Sequence, residues 1–94
     1  MKFIKYQLQI GNRKLSDCTE NYIEQLWSMN SIYGIQGYGE TNDDKEYLVV
    51  FGKIMAVTAK ECKGYLRTLK SKLKEIFEVG RIVTLVEFSG ETIF

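Results

Sequence analysis

Apolar residues recur in this chain at two different intervals, and the order in which those intervals alternate leaves few folds open. In residues 2–10, KFIKYQLQI, Ile4, Tyr6, Leu8 and Ile10 fall on one side and Phe3, Lys5, Gln7 and Gln9 on the other. That is the period of two expected of a half-buried strand. Between residues 62 and 77 the spacing changes. Cys62, Leu66, Leu69, Leu73 and Ile76 follow one another at steps of four and three, and Phe77 widens the stripe. A seam of that kind is the buried face of an amphipathic helix. Thr58, with Glu61 three residues later, makes a capping box at its start, and Gly80 supplies a stop.

The remaining segments complete the pattern. Gly11-Asn12 is a turn signal that closes the first strand. Asp17 and Glu20 suit a helix start, and Ile23, Leu26, Trp27 and Asn30, flanked by Tyr22 and Met29, predict a helix over 18–31. Residues 32–40, IYGIQGYGE, read as a bent or bulged strand because glycines interrupt its apolar residues. Residues 41–45 form a polar loop, and Glu46 to Ile54 is a strongly apolar strand, so the two strands make a hairpin. Residues 81–89, RIVTLVEFS, form a last strand. This order resembles the ferredoxin-like βαββαβ sandwich. The resemblance implies an α+β domain over 1–94, with a four-stranded antiparallel sheet and two helices on one face. If 32–40 is loop, a three-stranded sheet with two helices remains. The expected core includes Ile4, Tyr6, Leu8, Ile23, Leu26, Leu66, Leu69, Leu73 and Ile76.

Composition removes several chemistries. The 94 residues contain no histidine and no proline. Without histidine, Ser–His and Cys–His pairs are impossible and the commonest general base is missing. No catalytic residue is assigned, and the protein is expected not to be an enzyme. Cys18 and Cys62 are too few for zinc or for a disulfide framework, and both fall on expected helices as small apolar residues. Asp43 and Asp44, with Glu40 and Glu46 nearby, make a poor cation loop. Gly34, Gly37 and Gly39 lack the spacing of a phosphate loop, and Gly34-Ile35-Gln36-Gly37 does not join two helices as a KH-type GxxG must. Bulge glycines account for them. No metal and no cofactor is expected. The chain shows no signal peptide and no apolar run of about 20 residues, so the expectation is a cytoplasmic protein with no membrane partner.

Binding is where the sequence offers candidates. The net charge is only +1, but residues 1–14 and 53–81 are basic while 15–52 are acidic, a polarity that can steer partners. Lys60, Lys63, Arg67, Lys70 and Lys74 fall within an arc of roughly 80° on the second helix. They form either a solvated face or a docking strip for phosphates or an acidic protein surface. The sheet is the second candidate. Tyr47, Val49 and Phe51 alternate with Leu48, Val50 and Gly52, and in the last strand Ile82, Val86 and Phe88 oppose Val83 and Leu85, so both strands are apolar on both sides and some apolar surface should face away from the helices. Such a patch marks a protein partner or a homodimer contact, unless loops or the tail Glu91-Thr92-Ile93-Phe94 cover it.

The element order also resembles that of RNA-recognition-motif domains. Their central strand reads basic-Gly-aromatic-Gly/Ala-aromatic-Val-x-aromatic. Lys45-Glu46-Tyr47-Leu48-Val49-Val50-Phe51-Gly52 keeps Lys45, Tyr47 and Val50 and lacks both glycines and the later aromatics. The likeness is one of element order and not of motif. Phe3 or Tyr6 could supply a ring from the first strand. Two functional expectations follow. The first is a non-enzymatic binding protein that docks on a protein partner, in the style of the inhibitors and adaptors that phages and mobile elements encode. The second is an RNA- or single-stranded-DNA-binding domain that uses Tyr47 and Phe51 with the lysines.

Overall fold

Strand β1 (Lys2–Lys14) lies between two other strands because its alternation gives it one fully apolar side. Ile4, Tyr6, Leu8 and Ile10 are each at most 1% exposed. The computed structural model describes residues 1–93. After β1 come a 3₁₀ turn (Leu15–Asp17), α1 (Glu20–Trp27), α2 (Asn30–Tyr33), β2 (Ile35–Glu40), β3 (Tyr47–Ala56), α3 (Ala59–Phe77) and β4 (Ile82–Glu91). The chain is α+β, with three helices and one four-stranded antiparallel sheet in the order β2-β3-β1-β4. One core forms against the inner side of β1 and β3. Leu26, Tyr33, Leu66, Leu69, Leu73 and Phe77 from the helices meet Ile4, Tyr6, Leu8, Ile10, Leu48, Val50 and Ile54 from the strands.

The second helix follows its sequence signals at the start. Thr58 Oγ1 accepts from Glu61 N at 3.1 Å and donates to the Glu61 carboxylate at 3.1 Å, so one hydroxyl serves both ends of the cap. Its end differs from expectation. The chain turns left-handed at Glu78, φ 55°, two residues before Gly80. Arg13 makes part of that ending. Its guanidinium donates to the Phe77 carbonyl and lies 5.8 Å from the centre of the Tyr22 ring. A cation at a helix C-terminus meets the unpaired carbonyls and the negative end of the dipole.

Four further boundaries differ, each for a local reason; one is the strand expected over 32–40, which begins only at Ile35 because Asn30–Tyr33 is helical and Gly34 turns left-handed. The helix expected over 18–31 is two helices. Ser28 Oγ donates back to the Gln25 carbonyl at 2.6 Å and Met29 leaves helical geometry. A serine that bonds its own backbone competes with the helix ladder. Asp17 lies in the 3₁₀ turn and does not cap α1, whose N-cap is Thr19 without a side-chain bond. Gly11 is not a turn. It adopts φ 52°, the pairing with β3 shifts register between Gln9 and Lys14, and the strand continues to Lys14. The glycine therefore makes a bulge. Of the expected core, Ile76 only packs at its rim and Ile23 is half-buried near Cys18 and Tyr38.

Glycine is required where α2 meets the sheet. Gly34 ends α2 at φ 60°, and a Cβ there would sit 1.8 Å from the Lys53 carbonyl oxygen. The contact is fixed by Lys53 N donating to the Gly34 carbonyl at 3.0 Å. Beside it the Tyr6 hydroxyl donates to the Tyr33 carbonyl at 2.8 Å. Burial raises the Tyr6 phenol far above its ordinary range, so it remains a donor at every relevant pH.

Candidate docking surface

Residues directly opposite one another in an antiparallel pair share a face, so the register identifies the side of the sheet that carries no helix. Four rows cross it. Phe3 lies between Met55 and Gly90, Lys5 between Lys53 and Phe88, Gln7 between Phe51 and Val86, and Gln9 between Val49 and Val83. These rows contain two lysines and no acid. Phe51, Met55, Val86 and Phe88 are 37%, 41%, 41% and 58% exposed, values that core residues do not show and that define an open apolar surface.

The rings on this face are held sideways across the sheet. The Phe3 ring tip occupies the space that a Cβ at Gly90 would need, 2.5 Å away, and Phe51 does the same over Gly37. Aromatic rings lying over strand glycines fill a gap in the pleat and so acquire a fixed place. Phe3 and Phe88 have centroids 6.2 Å apart, and Lys53 Nζ stands 4.5 Å from the centre of the Phe3 ring. The pair and its cation lie within the usual range for aromatic and cation–π contacts. A shallow depression beside them is lined by Lys5, Gln7, Gln36, Phe51, Lys53 and Val86.

Of the third-strand residues singled out from the sequence, only Phe51 is open, while Leu85, Val86 and Phe88 of the last strand are open as well. Tyr47 is half-buried with Lys45 Nζ 5.9 Å from its ring. Val49 is 7% exposed, at the floor of a hollow bounded by Gln7, Gln9, Asn42 and Leu85. Leu48 and Val50 point into the core and are fully buried. No protein-family model matches the chain, and comparison with curated proteins finds no relative. The tail does not lie over this face as far as it is described. Thr92 N donates to the Met1 carbonyl and Ile93 is exposed; Phe94 lies outside the described residues.

The basic residues of α3 occupy the other side of the molecule. Lys60, Lys63, Arg67 and Lys74 are exposed, and Lys70 is half-buried with Nζ 4.0 Å from Glu87 Oε1 of β4. Lys63, Arg67 and Lys70 border a narrow trough whose far wall is Glu87. The sheet separates this strip from the aromatic face, and β4 is the edge where the two meet. Sequence reasoning named the strip and Phe51. It named Phe3 and Phe88 separately and did not join them with Lys5 and Lys53 into one surface, although the alternation already placed Phe3 and Lys5 opposite the core.

Cysteines and acids form no comparable cluster. Cys18 and Cys62 are both free thiols, and burial raises the Cys18 thiol. Among the described residues no three histidine, cysteine or acidic side chains converge, and no helix is long and apolar enough to cross a membrane. Asp43 instead closes the β2–β3 loop. Its carboxylate accepts from Thr41 Oγ1 at 2.6 Å and from Lys45 N at 3.0 Å. The Thr41 hydroxyl, ahead of the Lys45 amide, holds this carboxyl below its ordinary value. A depressed carboxylate favours the folded loop above the ordinary Asp range and loses that contribution as pH falls through the lowered value. Because Asp43 is fully exposed, water screens the effect and it stays local. In an NMR titration the Lys45 and Tyr47 amides are expected to shift with a midpoint below that of an ordinary aspartate. Thr41→Val is expected to return the midpoint upward. An ordinary midpoint in the unaltered protein would show the loop to be open in solution.

Proposed function

We propose that this chain is a non-enzymatic, cytoplasmic binding protein on a ferredoxin-like sandwich, which docks on a protein partner through the helix-free face of its sheet. The strand order β2-β3-β1-β4 supports the fold reading, since it places β1 and β3 in the centre. Two unpaired thiols support a reducing compartment. The observation that carries the function is the exposure of Phe51, Met55, Val86 and Phe88 on one face, around Lys5 and Lys53. Exposed aromatic residues and methionine are the groups enriched at protein interfaces, and the two lysines among them call for matching charge on the partner. The fitting partner has an apolar patch and acidic groups to meet the two lysines.

A second reading, single-stranded RNA or DNA, is favoured by one specific feature. Phe3, Phe51 and Phe88 alternate with Lys5 and Lys53 in rows without acids, with Glu40 and Asp43 only at the far hollow beside Val49, which suits base stacking and phosphate contact. One experiment separates the two. The protein is used for affinity capture from cell extract with and without nuclease, and in parallel is titrated with fluorescent oligouridine and oligothymidine at physiological salt. Phe51→Ser with Phe88→Ser is expected to abolish a nuclease-resistant capture while the fold, followed by circular dichroism, persists. Arg67→Glu with Lys70→Glu is expected to leave that capture in place. Oligonucleotide binding that weakens by about 1–3 kcal/mol for each ring removed would replace the first reading by the second. Capture that survives loss of both phenylalanines overturns both.

A further inference from the structure

The two edges of the sheet are built differently. β2 has six residues, two of them glycine, and its pairing shifts register between Ile35 and Gly37. Short length, glycine and a bulge are the devices that keep an edge from pairing with another chain. β4 is ten residues long, pairs only with β1 among the described strands, and carries neither proline nor lysine; its one bulge, at Leu85, and its Glu87 leave the stretch through Val86 and Phe88 extended. Thr84 to Ser89 are exposed without interruption, so this strand is open on both of its faces as well as along its backbone. On the helix-free side it presents Val86 and Phe88, and on the helix side Glu87 and Ser89.

We infer that β4 is a self-association edge, through which two copies of the chain pair antiparallel about a two-fold axis into one continuous sheet. A symmetric contact must be complementary to itself. Pairing centred on Glu87 meets that condition on the helix-free face. On the helix-free side Phe88 of each copy lies opposite Val86 of the other, an aromatic–aliphatic cross-strand pair formed twice. On the helix side the two Glu87 carboxylates come together between two basic strips. Like charges directly opposite weaken a pairing, and each carboxylate has its own Lys70 at 4.0 Å and Arg67 along the same trough to offset that repulsion. The edge supplies backbone donors and acceptors that no other described strand of the chain uses. A standard stable interface removes about 800 Å² per partner, and a single edge with its flanking side chains lies at or below that size. The association is therefore weak and concentration-dependent. It leaves Phe3, Lys5, Phe51 and Lys53 of both copies uncovered for another partner.

Sedimentation equilibrium of the full chain, from about 1 μM to about 1 mM, tests the pairing. A monomer–dimer equilibrium is expected. Phe88→Lys is expected to raise its dissociation constant by about tenfold or more, whereas Phe51→Lys, on the same face but away from the edge, leaves it unchanged. In a Cys18→Ser background, Glu87→Cys is expected to cross-link two copies on mild oxidation, and Lys5→Cys is not. A monomer at the highest concentration, or a dimer that does not cross-link through position 87, overturns the inference. So does a dimer weakened by Phe51→Lys and not by Phe88→Lys. None of these results bears on capture of a different protein by the central strands, which Phe51→Ser alone, away from the β4 edge, reads separately.

Discussion

Gly34→Ala is expected to be the most damaging single-methyl change in the chain, with a loss of about 4 kcal/mol or more, in the range reserved for broken backbone contacts. Two costs add at this position. The left-handed conformation at φ 60° costs an alanine about 1 kcal/mol or more relative to glycine. The new Cβ would also lie 1.8 Å from the Lys53 carbonyl oxygen and 2.8 Å from its carbon, a collision that only separation of α2 from β3 relieves. Separation would break the Lys53–Gly34 backbone bond and loosen the Tyr6–Tyr33 bond next to it. Chemical denaturation against Gly64→Ala makes the comparison. Gly64 is inside α3 with nothing within 4 Å of its notional Cβ, so that variant is expected to gain about 0.5–1 kcal/mol from helix propensity. Equal stabilities of the two variants would show that α2 does not sit against β3 in solution.

Leu69→Ala is expected to cost about 2–5 kcal/mol in the same assay. Leu69 is fully buried in the middle of α3 and within the single core that joins the helices to β1 and β3. Removal of its side chain leaves a cavity whose walls belong to several elements and cannot all move in. Folded domains of this size retain only about 5–15 kcal/mol, so the variant consumes a large part of the total. A loss below about 1 kcal/mol would mean that α3 presents a different face to the sheet.

How far the sequence revealed this molecule depends on which interactions decide each element. β1 and α3 were legible because one interval runs through each without interruption, from Ile4 to Ile10 and from Cys62 to Phe77. Burial of one side then follows from the interval alone. The break at Ser28 was not legible, because Leu26 and Tyr33 keep a helical rhythm across it while a local serine bond changes the backbone. Gly11 and Gly80 show the same limit in the opposite direction. Both are turn residues by composition, yet one is a bulge and the other follows a turn already made at Glu78. The docking surface was half legible. The alternation of 2–10 separates Phe3 and Lys5 from the core, but only the register brings Phe88 beside Lys5 and Phe51 beside Gln7. Val49 looked as open as Phe51 by alternation, and the hollow near Asn42 that encloses it is a product of the folded loop.

The place of β1 in the sheet also sets the order in which the domain can be assembled. Its two neighbours are β3, which begins at Tyr47, and β4, which begins at Ile82. During synthesis the first strand therefore emerges with no partner on either side. The hairpin of β2 and β3 can form early and α3 can coil by itself, but each pairing made by β1 closes a long loop, and loop closure must be met before those contacts repay it. The last of the four strands completes the sheet, so until Ile82–Glu91 has left the ribosome one backbone edge of β1 stays unpaired, and a chaperone or a neighbouring nascent chain can reach it.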